Sequence, residues 1–240
     1  MIVEYSVYSF NKHRIVLFIG IFFITGNSIA QLSTWTGASF NKSLGKIFSL
    51  EVGYEYRLKN TREFDKSNVE GKFAQNWTRG IETFVKYRNS IENNKYSGLN
   101  SKIYAYNNRL SIGLDVSFLR LADVSKRTKL SWTITQQMDN YQFKRNSSVL
   151  RNKITFKHDI KNFFLSPFAS AEHFYRWNRD VVYADDEVLI SGGTAALRYF
   201  VGTEIELNKK QRFVIGFGFK DVYMNQNSNY ILRLNYKLSF

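Results

Sequence analysis

Asn229-Tyr-Ile-Leu-Arg-Leu-Asn-Tyr-Lys-Leu-Ser-Phe240 alternates apolar and polar residues along its whole length. Tyr230, Leu232, Leu234, Tyr236, Leu238 and Phe240 fall on one face of an extended chain. Ile231, Arg233, Asn235, Lys237 and Ser239 fall on the other. A period of two with one greasy and one wet face is the signature of a β-strand. A terminal aromatic after alternating apolar residues also resembles the C-terminal insertion signal of outer-membrane barrels, and Tyr and Phe suit the girdles at bilayer interfaces.

The same pattern extends upstream. Phe213, Ile215, Phe217 and Phe219 oppose Arg212, Val214, Gly216, Gly218 and Lys220. Phe48, Leu50, Val52, Tyr54, Tyr56 and Leu58 oppose Ser49, Glu51, Gly53, Glu55, Arg57 and Lys59. Strand segments are expected at 33–42, 47–59, 68–78, 80–92, 103–118, 129–138, 149–158, 163–175, 190–206, 211–223 and 229–240. Such lengths match a tilted crossing of a hydrocarbon layer. Short connections at Ser43-Leu-Gly-Lys46, Arg79-Gly80, Lys161-Asn162 and Asn208-Lys-Lys-Gln211 alternate with long ones at 60–67, 93–102, 139–148, 176–189 and 224–228. Long loops on one side and short turns on the other describe an outer-membrane barrel, the short side periplasmic. The stretch 119–128 is long where a turn is due.

The expected fold is therefore all-β: one antiparallel transmembrane barrel of roughly ten to twelve strands. An even count is the rule for bacterial single-chain barrels. An odd set of segments means that one is not a strand, or that a long one such as 103–118 hides a turn. A secreted β-sandwich also alternates, but its buried face could not hold charges of both signs at this density.

The first thirty residues read as a separate export signal. Lys12, His13 and Arg14 precede the apolar run Ile15–Ile24, and Ser28-Ile-Ala30 places small residues at a cleavage site. That is the layout of a secretory signal peptide. A retained signal anchor is the alternative, although the run falls short of the about 20 residues a spanning helix needs. Cleavage after Ala30 leaves 31–240 as the barrel, with the bacterial outer membrane as its address.

The 240-residue chain carries 34 Lys+Arg against 20 Asp+Glu, a net charge of +14. The basic residues are interleaved with acidic ones along the chain, and no nucleic-acid-binding motif gathers them, so nucleic acid is not an expected partner. Expected partners are outer-membrane lipid, lipopolysaccharide and the barrel insertion machinery. The chain has no Cys, which excludes a disulfide scaffold and a Cys-ligated zinc site.

The ordered pieces Thr34-Trp-Thr-Gly37, Leu44-Gly-Lys-Ile-Phe-Ser-Leu50, Ser166-Pro-Phe-Ala-Ser-Ala-Glu-His-Phe174, Leu197-Arg-Tyr-Phe-Val-Gly-Thr-Glu-Ile-Glu-Leu-Asn-Lys-Lys210 and Tyr236-Lys-Leu-Ser-Phe240 resemble the domain-of-unknown-function 2490 family of predicted outer-membrane barrels. The resemblance implies a barrel and an outer-membrane location. It supplies no activity and no catalytic residues.

The charged inner face is the candidate site. Glu51, Glu55, Arg57, Glu82, Lys86, Arg88, Arg109, Asp115, Arg151, Lys153, Lys157, Glu172, Arg198, Glu204, Glu206, Arg212, Lys220, Arg233 and Lys237 are all expected to face the lumen. Paired across a narrow barrel they would form a packed plug. In a wider one, the excess of basic groups would favour anions. The leading expectation is a porin-like or structural barrel without enzymatic activity, cofactor or metal. A lipid-modifying enzyme and a surface barrel binding through 93–102, 139–148 and 176–189 are alternatives. For the enzyme, Ser166 and Ser170 lie an odd number of residues from His173, which sets them on opposite faces. Asp185-Asp-Glu187 is either a divalent-cation loop or a solvated tip.

Overall fold

The computed structural model describes residues 32–95, 102–122, 125, 127–142, 146–161, 163–177, 182–184, 187–189, 193–222 and 229–240. The segment 1–30 read as a signal peptide lies outside them, as do Asp185, Asp186 and most of the 93–102 and 224–228 connections.

Eleven strands close into one barrel. In chain order they are β1 (Leu32–Leu44), β2 (Phe48–Lys59), β3 (Glu63–Thr78), β4 (Ile81–Lys95), β5 (Lys102–Ser117), β6 (Thr128–Tyr141), β7 (Ser147–His158), β8 (Leu165–Arg176), β11 (Gly193–Glu206), β12 (Gln211–Val222) and β13 (Asn229–Ser239). Two three-residue strands, β9 (Val182–Ala184) and β10 (Glu187–Leu189), form a hairpin within the β8–β11 connection. The helix α1 (Phe118–Leu121) begins the 118–127 connection, where the length excess was noted. No helix among the described residues is long and apolar enough to cross a membrane.

The odd strand count needs no hidden turn. Every neighbouring pair in the wall is antiparallel except the closure, where β1 runs parallel to β13 from Leu32↔Tyr230 to Asn41↔Ser239. A parallel seam lets an odd number of strands close without leaving an edge, which removes the hazard of unpaired backbone groups. The last residue completes the seam: the Phe240 amide donates to the Asn41 carbonyl at 2.9 Å.

Two connections are shorter than their polar sequence suggests. The stretch 60–67 was expected to be a long loop. Instead β3 begins at Glu63, and Asn60 and Thr61 turn the chain with φ of 51° and 59°. Two consecutive positive φ values match the right-handed twist of a tight hairpin. The 139–148 connection shrinks to 142–146, because β6 runs on to Tyr141 and β7 starts at Ser147. In both places backbone pairing continues past the point where apolar alternation fades.

The molecule is inverted relative to a water-soluble protein. Its large apolar side chains point outward: Val69, Tyr87, Ile112, Ile154 and Val201 are all exposed. Its buried side chains include Asn68, Ser111, Gln137, Asp139 and Glu172. A few buried apolar groups, Trp35, Phe200 and Ile231, form one small inner cluster with Phe168 packed against it.

Bulky inner rings sit over glycines on adjacent strands. Phe84 lies opposite Gly113, and Phe168 opposite Gly202, which itself faces Gly216. Glycine lets the wall bend and gives the ring a place to lie.

Candidate functional site

Alternation along strands of fixed register delivers one ionic residue after another to the interior. The charged residues assigned to the inner face all line one of two cavities. Lys157, Glu204, Glu206 and Arg212 line a cavity of about 500 Å³ near the short turns. The others line a larger one of about 630 Å³. Five more inner charges, Lys66, Glu70, Lys72, Asp139 and Arg176, also line the larger cavity and were not read from the sequence. Lys and Arg outnumber Asp and Glu in that lining.

Three carboxylates act as hubs. Glu70 on β3 accepts from Lys86 at 3.1 Å and from Arg88 at 2.5 Å, both on β4. Glu172 on β8 is 3% exposed; it takes Arg151 at 2.7 Å, Lys153 at 3.4 Å and the guanidinium of Arg198. Glu204 on β11 takes Lys157 and Lys237, each at 2.7 Å. Asp139 holds Arg109 through two bonds, at 2.5 and 3.1 Å.

Every ion pair among the described residues joins groups within one strand and its turn, on adjacent strands, or on strands separated by one other. None spans the diameter. The charges brace the wall and leave the centre free. The closest approach to a partition is the chain Lys157–Glu204–Lys237. Lys237 lines the larger cavity and the other two line the smaller, so this chain marks their boundary.

Aromatic rings position the arginines. The Arg57 guanidinium stacks 3.9 Å above the Trp35 ring, and Arg198 lies 5.3 Å from it. Arg198 also lies 5.0 Å from Phe174. Such contacts hold a cation in one orientation while its N–H fork stays free to donate.

The two described histidines stand apart from the lumen. His158 meets the Thr128 hydroxyl at 3.0 Å, and His173 meets the Thr194 hydroxyl at 3.0 Å. Glu172, beside His173 in the strand, lines the larger cavity, and Ser166 lines the smaller one. His173 therefore projects outward, away from Ser166 and Ser170, and no Ser–His pair forms among the described residues. No group of three or more His, Cys, Asp or Glu among the described residues could hold a metal ion.

Fold and site define a closed β-barrel with an apolar exterior and an ionic, net-basic interior. No protein-family model matches the chain, and no curated protein does. The resemblance to the domain-of-unknown-function 2490 family stands on the quoted residues alone.

Proposed function

We propose that the chain is an outer-membrane barrel of the porin-like kind, admitting small hydrophilic solutes with a preference for anions. The carrying observation is the placement of the ion pairs: they follow the wall and leave about 630 Å³ of basic-lined space inside. An exposed apolar surface running round the whole barrel favours lipid as the surrounding medium, since soluble monomers rarely expose apolar patches above a few hundred Å². Aromatic contacts such as Phe48–Phe73 towards one rim and Phe219–Tyr230 towards the other suit the two bilayer interfaces. The signal-like first thirty residues and the terminal Phe240 fit export and recognition by the insertion machinery, with lipopolysaccharide as the outer neighbour. Placement in the domain-of-unknown-function 2490 family belongs to the same reading.

Planar bilayers loaded with the purified protein under a KCl gradient test it. Discrete steps and a reversal potential on the chloride side are expected. A flat trace at high protein load removes the pore.

A lipid-modifying enzyme has one observation on its side: the hydroxyl of Thr194 and the imidazole of His173 meet on the lipid-facing surface. A nucleophile and base need a third group to orient the ring. Asn152, the register partner of His173 on β7, makes no hydrogen bond to it among the described residues. Unchanged lipid species on overexpressing the wild type would dismiss this reading.

A further inference from the structure

We propose that the wall around the parallel seam holds a tetrahedral oxyanion of the phosphate class, with Arg233 as its principal ligand. The proposal rests on the lumen being hydrated, as the pore reading requires.

Charge around the barrel is unevenly distributed. Strands β12, β13 and β1 are contiguous across the closure. Their inward side chains include Arg212, Lys220, Arg233 and Lys237 and no carboxylate among the described residues. The inner carboxylates of the larger cavity stand on β2 to β6 and on β8. On those other strands most basic groups are already paired with a carboxylate, so the seam is where an anion meets positive charge without one beside it.

Arg233 is the group on that wall best placed to receive it. It lies half-buried in mid-strand, flanked in register by Trp35 on β1 and Gly216 on β12. The Phe168 ring takes the space beside Gly216, so an apolar group and no carboxylate borders Arg233 on that side. Among the described residues Arg233 has neither an ion pair nor a side-chain hydrogen bond. Glu55 acts on it electrostatically, but that carboxylate already accepts from Arg57 and Asn68. Lys153, which also feels Arg233, is taken by Glu172.

Lys220 likewise makes no ion pair among the described residues; Asp65, at the β2–β3 bulge, acts on it without bonding it. A guanidinium in a confined space without a counter-charge is costly. A tetrahedral oxyanion supplies the missing charge and matches the planar N–H fork with two parallel bonds. Arg57 and Arg198, held against Trp35, add field without being free to collapse onto the site.

The test is isothermal titration of inorganic phosphate into the full chain, folded in non-ionic detergent at low ionic strength. Saturable binding is expected for the wild type. Arg233→Gln should weaken it by at least about tenfold, the loss of one charge-assisted contact. Lys209→Gln, an exposed cation in the β11–β12 turn, should bind as the wild type does. Absence of saturable binding in the wild type, or wild-type affinity in R233Q, overturns the site. If R233Q does not reach the heat-modifiable folded form, Arg233→Lys keeps the charge and loses the fork. It should bind several-fold more weakly, and unchanged affinity again overturns the site. Phosphate binding without bilayer conductance removes the pore and keeps the site; conductance without phosphate binding does the reverse.

Discussion

Phe200 on β11 lies directly opposite Gly218 on β12, with its ring over the glycine. A methyl group at position 218 would come within 2.4 Å of the Phe200 Cε1. Ring and bare backbone are thus one unit, and the space between them cannot be shared.

Gly218→Ala is expected to destabilise the barrel by about 1–3 kcal/mol, the range for overpacking a tight site. Gly71→Ala is the matched control, since a Cβ there meets nothing within 4 Å. It should stay within about 0.5 kcal/mol of wild type. Urea titration followed by the heat-modifiable shift on gels reads both.

Val201 is 58% exposed, on the outer face of β11. In a bilayer, Val201→Arg should cost about 2–4 kcal/mol if the position lies near the midplane. Around a water-soluble barrel the same change would be nearly neutral. Refolding into lipid vesicles at graded urea separates the two, and a neutral result would count against the membrane reading.

Glu204 neutralises both Lys157 and Lys237 at the boundary between the cavities. Glu204→Gln leaves those two ammonium groups without their shared counter-charge. The expected outcome is a reversal potential shifted further toward chloride, measured in bilayers under the same gradient as the wild type. A shift toward potassium would contradict the role given to this chain of charges.

Asp159 sits in the β7–β8 turn. Burial pushes its carboxyl up, but the Ser166 hydroxyl and the charges of Lys157 and Arg212 outweigh it and hold it below the ordinary 3.8. A depressed carboxylate stabilises the fold above its unfolded value, and the gain is lost as pH falls through the folded one. The side chain is 48% exposed, so Asp159→Asn should cost less than about 1 kcal/mol at neutral pH. The gap between variant and wild type should close once pH has fallen through the folded carboxyl's lowered range. Parallel urea titrations across pH give the comparison.

How far the sequence could be read depends on what each strand carries. In β2, β12 and β13 large apolar groups alternate with charges or glycine, so the inner residues Glu55, Lys220 and Arg233 are legible by parity alone. In β3 the outer positions hold Ser67, Val69 and Gly71, too weak an apolar stripe to mark Lys66, Glu70 and Lys72 as inner. Asp139 escaped because β6 continues beyond its apolar pattern, held by backbone pairing with Asn108 and Asn140 side by side. Pairing between β1 and β13 leaves no mark in either strand's alternation. Parity fixes which face a residue takes and says nothing about which strand lies next to it.

That seam also decides where the polypeptide enters and leaves. Leu32 starts beside Tyr230, at the rim of the longer connections, whereas Ser239 ends beside Asn41, at the rim of the tight turns. A cylinder assembled only from complete hairpins returns both tails to the compartment they came from. Here an odd strand remains, so on the membrane reading the start of β1 and the end of β13 face opposite sides of the lipid. Epitopes placed at those two rims would then report from opposite compartments of the envelope.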